Sequence, residues 1–235
     1  VVETPVTALP FDGQIQVMLS WAQERMSKFV CVANTHMIIE AHRSPQFKTV
    51  LNLADLVTPD GMPLVWMMKL LGIRNQNRVA GMDILEALCH EAALQNLSVF
   101  FVGSQTNILN SIRLRLEKDF PNLHIAGMKS MPFRPLSREE DELILEQIKA
   151  SGASIVFVSL GCPKQELWMA QHRGRLPAVM IGLGGVFPVY AGIQKRAPQW
   201  VRENGLEWLY RLIQEPKRLW KRYSSTIPVF VFLAA

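Results

Sequence analysis

Six short apolar runs recur along the chain, at Phe29–Ala33, Asp55–Val57, Ser98–Val102, His124–Ala126, Ile155–Leu160 and Val179–Gly182. Their length and their β-branched and aromatic content predict strands. Between them apolar residues recur with helical spacing, most clearly over Asp83–Leu94, Thr106–Lys118 and Arg138–Ala150. Strand and helix therefore alternate. The strand runs are nearly continuous in apolar character, as expected when helices cover both faces of a sheet, so the pattern predicts a mainly parallel sheet in a Rossmann-like α/β sandwich. Ligands of such sheets bind beyond the carboxyl ends of the strands. Polar and glycine residues cluster at those ends: Asn34-Thr35-His36, Thr58-Pro59-Asp60-Gly61, Gly103-Ser104, Gly161–Glu166 and Gly182–Gly185. The segment Met131–Pro135 reads as a stiff connecting loop.

A different pattern closes the chain. On a helical wheel with Leu209 at the origin, Leu212, Ile213, Leu219, Trp220 and Tyr223 share one face, and Arg211, Lys217, Arg218, Lys221 and Arg222 fall opposite. This predicts a basic amphipathic helix. From Lys195 to Ala235 there are eight Lys or Arg and three Asp or Glu, an excess that equals the whole formal net charge of +5. The chain thus divides into a formally neutral core, 1–194, and a basic helical appendage, 195–235. The basic face suits an anionic membrane surface, a nucleic acid backbone or a bound diphosphate, and the apolar stripe also suits docking onto a core. Nucleic acid fits least well, because the cations lie opposite an apolar stripe without interleaved stacking aromatics. An apolar stripe left uncovered away from a membrane would favour a homo-oligomer. Pro228–Ala235 is apolar but short, and reads equally as an interfacial anchor, a core strand or the stump of a longer tail.

Composition narrows the class. A hydrophobic content of 49% excludes wholesale disorder, and no apolar run approaches the roughly 18–20 residues that cross a bilayer. Cys31, Cys89 and Cys162 are odd in number and lack CxxC spacing, which fits reduced thiols of a cytoplasmic protein. The opening VVETPVTALP lacks the basic flank and apolar core of a signal peptide.

Several constellations could carry chemistry. Gly103 ends a strand before a helix, a place where a phosphate can approach backbone N–H groups, but the further glycines of GxGxxG are missing and an ordinary tight turn explains it as well. Asp60 follows a strand and precedes MPLVWMMKLL, so it could cap that helix or point into a site as a general base. Asp83 with Glu86 reads as a capping-box variant. In GCPKQELW, Lys164 could hold a phosphate as a point charge and Gln165 could hydrogen-bond a sugar or phosphate oxygen, or the group could merely cap a buried strand. The five histidines show no HxxxH or HExxH spacing, so no metal site is expected, and GxSxG and DxD are absent.

The stretches CVANTHMIIEA, ADLVTPDGMPLVW, RVAGMDIL, VFFVGS, LGCPKQELWMAQHRGRLP, IGLGGVF and KRAPQWVRENGLEWLYRLIQEPKRLWKRY resemble the WecG/TagA/CpsF family of bacterial glycosyltransferases over nearly the whole chain. The resemblance implies an inverting, metal-independent transferase, peripheral on the inner face of the plasma membrane. It would move a sugar from a UDP-sugar donor, with no cofactor, to a polyprenyl-diphosphate-linked saccharide in cell-surface polysaccharide synthesis. It implies Asp60 as the catalytic base, Asn34 and Thr35 as pocket residues, and Gln165 near the donor. Arg211, Arg218 and Lys221 or Arg222 would complete the site from the appendage. Backbone amides near Gly103, Gly184 and Gly185 would help to hold the departing UDP. One position departs: where members commonly carry Asp in GGxFDxxAG, this chain has Pro188, which offers neither a carboxylate nor a backbone N–H. That departure leaves open a second reading, a Rossmann-like membrane-associated scaffold whose active site has decayed.

Overall fold

The computed structural model describes residues 1–132 and 134–234. Phe133, within the Met131–Pro135 connection, and Ala235, at the end of the tail, lie outside the described residues. In chain order the elements are α1 (Phe11–Gln23), β1 (Lys28–Ala33), α2 (Thr35–Arg43), α3 (Pro45–Leu53), β2 (Leu56–Pro59), α4 (Met62–Leu70), α5 (Gly81–Leu94), β3 (Ser98–Gly103), α6 (Thr106–Asp119), β4 (His124–Lys129), α7 (Arg138–Ser151), β5 (Ile155–Ser159), α8 (Lys164–His172), β6 (Val179–Gly182), α9 (Val186–Tyr190), α10 (Gln199–Glu203), α11 (Glu207–Gln214) and α12 (Pro216–Ala234). Each of the six apolar runs is a strand. Among the described residues they form one sheet in the order β2-β1-β6-β5-β3-β4, and every pairing is parallel.

Successive strand residues serve opposite faces, which is why the runs are apolar throughout. Val30 and Val32 pack with α1, α5 and α6. Phe29, Cys31 and Ala33 pack with α2, α3 and α7. The helices that follow β1 cover one face, whereas α9, which follows β6, lies on the other. These two strands are neighbours. The chain therefore leaves them in opposite directions, and a crevice opens between their carboxyl ends.

Three local expectations change. Asp60 does not cap α4; Gly61 holds the cap position without a side-chain bond. Helix α5 begins at Gly81, two residues before Asp83, which places Asp83 inside the first turn, where its carboxylate pairs with Arg196 instead of capping. The basic segment is not one helix. Pro216 disfavours helical backbone at the residue before it, and Glu215, at φ −132° and ψ 59°, separates α11 from α12. The single wheel consequently fails: Leu219 is buried, while Ile213 and Trp220 on the same predicted face are 73% and 66% exposed. Pro228–Ala234 continues α12 as helix, and α12 packs along α2 with Phe230 buried in the second core cluster. Among the described residues no helix is long and apolar enough to cross a membrane.

Candidate active site

Two cavities meet over the β1/β6 crevice. The first, of about 160 Å³, is polar: Asn34 enters from the end of β1, Asp60 from the end of β2, Gln165 from α8 and Gly182–Gly185 from the end of β6. Arg211 of α11, with Arg218 and Arg222 of α12, closes it from the C-terminal side. The second, of about 600 Å³, runs between α4 and α12 and is lined by Trp66, Met67, Leu70, Ile227, Phe230 and Val231, with Thr35 on its wall. Asn34, His36, Asp60, Arg78, Arg202, Glu207, Arg211 and Arg222 border both. The polar cavity and the apolar groove thus share one junction.

Asp60 stands at that junction. Its backbone N–H extends the ladder by donating to the Ala33 carbonyl at 2.9 Å, which fixes the carboxylate close to Asn34. Arg78 donates from Nη2 to Asp60 Oδ1 at 3.0 Å and from Nε to the same oxygen at 3.3 Å, and Nε also donates to the Asp60 carbonyl. Burial pushes the Asp60 carboxyl above its ordinary range; Arg78 opposes this, Glu207 reinforces it and Arg211 opposes it more weakly. A carboxylate so placed is a better proton acceptor than an exposed aspartate.

The other residues divide between scaffold and site. Asn34 caps α2, its Oδ1 accepting from Met37 N–H at 3.2 Å, which leaves the amide NH₂ for a ligand. Gln165 is buried and doubly held, its Oε1 accepting from Gly161 N–H at 3.2 Å and its Nε2 donating to Glu166 Oε1 at 2.7 Å. A Cβ on Gly182 would come within 2.9 Å of the Gln165 amide, and one on Gly184 within 3.1 Å, so glycines here let the amide lie flat under the turn. A Cβ on Gly185 would meet Arg211 Nη2 at 2.5 Å. The guanidinium of Arg211 therefore rests directly on the Gly184-Gly185 turn.

Three expected contributors lie elsewhere. Gly103, Lys164 and Lys221 line neither cavity. Gly103 ends β3, two strands from β6, and its bare Cα serves packing, since a Cβ would strike the Ser159 carbonyl oxygen at 2.3 Å. Lys164 and Lys221 are exposed. The expected amide of Gly184 is committed to the Val158 carbonyl at 3.2 Å, so Gly184 shapes the turn and its N–H is not spare. Of the pair Lys221 or Arg222, Arg222 faces the site. Pro188 sits in the first turns of α9, where its missing N–H costs no helical bond, and only its neighbours Val186 and Val189 reach the cavity.

Sequence reasoning missed Arg78 and Glu207. Arg78 opens RVAGMDIL and Glu207 lies within GLEW, so both belong to stretches that stand out by their pattern, but neither follows a strand directly. His36 lies within the polar cluster that follows β1, at a strand end, but no spacing signal gives it a role. Burial and the nearby Arg222 and Arg43 push its pKa down to about 4, so it is a neutral imidazole at the junction.

Glu166 behind Gln165 gives a stability test. It is fully buried, and burial raises its pKa from 4.5 to about 7, against hydrogen bonds from Gln165, its own backbone and Cys162. Between those two values the folded chain keeps a proton that the unfolded chain has lost, so stability falls as pH rises through that window. At about 1.4 kcal/mol per pKa unit the cost above pH 7 is of the order of 3 kcal/mol. Glu166→Gln should therefore melt above the wild type at pH 8, with the gap closing at pH 4.5; thermal unfolding at the two pH values checks this.

Comparisons with known proteins identify the family. The family model described as "Glycosyl transferase WecG/TagA/CpsF family" matches residues 1–235. An N-acetylglucosaminyldiphosphoundecaprenol N-acetyl-beta-D-mannosaminyltransferase of Bacillus spizizenii is 34% identical over 234 residues, covering 97% of this chain and 88% of the relative. A protein of the same name from Bacillus subtilis is 32% identical over 206 residues, covering 87% and 78%. With a match along its entire length and relatives of this identity, the chain belongs to the WecG/TagA/CpsF family of glycosyltransferases.

Proposed function

We propose that the chain transfers a sugar from a UDP-sugar to a polyprenyl-diphosphate-linked saccharide with inversion at the anomeric carbon, the nucleotide sugar occupying the polar cavity and the lipid-linked acceptor the apolar groove. The observation that carries this reading is the junction: Asp60 borders both a cavity closed by three arginines and a groove lined with large apolar side chains. A diphosphate needs the first and a prenyl chain the second. The names of the two relatives describe an acceptor of this kind.

In the proposed step Arg78 engages Oδ1 of Asp60, and Oδ2 takes the proton of the acceptor hydroxyl. The freed oxygen pair forms the new bond to the anomeric carbon from the face opposite UDP, the bond from that carbon to the UDP oxygen breaks, and UDP leaves with the electron pair. Guanidinium groups of Arg211, Arg218 and Arg222 meet the charge growing on the diphosphate, the task a metal ion performs in other transferases, so transfer is proposed to be metal-independent. The groove opens beside Trp66, Leu70 and Val231, which are 48%, 81% and 60% exposed, and Phe232 beside them is 81% exposed. An apolar mouth of this size suits a peripheral position on a membrane that supplies the acceptor.

Thermal unfolding with UDP tests the nucleotide half. UDP at about 100 times its dissociation constant stabilises a one-site protein by about 2.7 kcal/mol, a rise of roughly 5–10 °C for a chain of this length; NAD should give none. No shift at millimolar UDP, with or without anionic liposomes, would favour the decayed scaffold that Pro188 suggests.

A further inference from the structure

Arg78 is held by two carboxylates. Its Nη2 lies 3.0 Å from Asp60 Oδ1 and 2.7 Å from Glu207 Oε2. Asp60 and Arg78 flank α4, whereas Glu207 opens α11 and arrives with the C-terminal helices. All three border both cavities. A guanidinium paired with Asp60 alone would hold that carboxylate as a stable anion and weaken it as a base. A second carboxylate divides the cation's attraction and adds a like charge nearby. We propose that Glu207 is a positioning residue for transfer: by sharing Arg78 it keeps Asp60 oriented and ready to accept a proton, and it ties that readiness to the seating of α11.

The proposal rests on the reading of Asp60 as the base. The charged groups around Asp60 come from several elements. Arg78 stands on the α4–α5 connection and Glu207 and Arg211 on α11, with His36 of α2, Arg202 of α10 and Arg222 of α12 further round the same walls. His36, pushed down to about 4, is neutral well above that value. Burial and then Arg78 act most strongly on Asp60, and Glu207 is the next in size, acting upward. Among the strongest influences on Asp60, Glu207 is the one carboxylate. Glu207→Gln removes the charge at nearly constant shape, so Arg78 should turn wholly to Asp60.

The test is the pH dependence of kcat/KM for acceptor-dependent UDP release. In Glu207→Gln the acidic limb should move down by about 0.5–1 pH unit and the plateau should fall about 3–10-fold, as a weaker base reacts more slowly, with KM for the donor little changed. Glu207→Asp, which keeps the charge, should return the limb to its wild-type position. Repeating the comparison in a Glu166→Gln background removes another carboxyl, one that burial pushes up to about 7. An unmoved limb, with loss confined to KM or melting temperature, would make Glu207 only a latch for α11 and overturn the proposal. If Glu207→Gln melts too low to assay, a displaced limb in Glu207→Asp overturns it as well. An active Asp60→Asn would instead sink the base assignment itself, which separates the two failures.

Discussion

Asp60→Asn is expected to lower turnover by about 10²–10⁴-fold, the range for loss of a general base, while UDP binding stays close to the wild type. The amide has nearly the carboxylate's shape and its oxygen still accepts from Arg78, so the ion pair becomes a hydrogen bond from a charged guanidinium to a neutral amide, and the backbone bond to Ala33 is untouched. What disappears is the capacity to take a proton. In the proposed complex the donor diphosphate is held by arginines on the other wall of the cavity, and Asn carries no charge to disturb them. Replacing a half-buried acid by its amide also removes part of a desolvation cost, so the melting temperature should not collapse. Retention of more than about a tenth of the wild-type turnover would be incompatible with the base role, given the size usual for such a group.

The second large effect concerns Arg222 and Arg211. Arg218 is partly neutralised by Glu215, with Nε 2.9 Å from Oε1. Among the described residues Arg211 and Arg222 have no ion pair of their own, and burial together with Arg218 presses the pKa of Arg222 downward. Cations brought together without partners repel one another, which is unfavourable unless an anion arrives. Arg222→Ala and Arg211→Ala should each cost about 10²–10³-fold in kcat/KM, the scale for removing one preorganised donor from a developing charge. Each should leave the unliganded protein as stable as before or slightly more so, apart from lost stem packing. Steady-state kinetics beside melting curves in the absence of UDP read both signs. A variant that loses stability and activity together would indicate a structural role. Point substitutions serve better than truncation before Arg211, because α12 buries Leu219, Thr226 and Phe230 and its removal would uncover the part of the second core cluster that Phe230 fills.

The sheet was legible because continuous apolar runs such as Phe29–Ala33 permit little else, and the ends of those runs directed attention to Asn34, Asp60 and the Gly182–Gly185 turn. Where the pattern misled, a long-range contact decided. Gly103 has the form of a phosphate turn, yet the strand order puts it two strands from β6, where it makes room for Ser159. On a single wheel the basic face suits a membrane, a nucleic acid or a diphosphate, but Pro216 breaks the wheel and brings Arg218 and Arg222 to the edge of the polar cavity, leaving Ile213 and Trp220 outside. Arg78 and Glu207 could not be found from local pattern, because each acquires its role from a partner far along the chain: Arg78 is bonded to Asp60, and Glu207 reaches Arg78 only when the C-terminal helices fold back.

The most direct measurement of the central claim is UDP release from a UDP-linked N-acetylhexosamine by the wild type and Asp60→Asn, with and without a polyprenyl-diphosphate-linked N-acetylglucosamine in vesicles. The account predicts release by the wild type only when the lipid-linked acceptor is present, with a matching gain of one sugar on the lipid, and almost none by Asp60→Asn. Release that is indifferent to the acceptor, or equal in the two proteins, would contradict it.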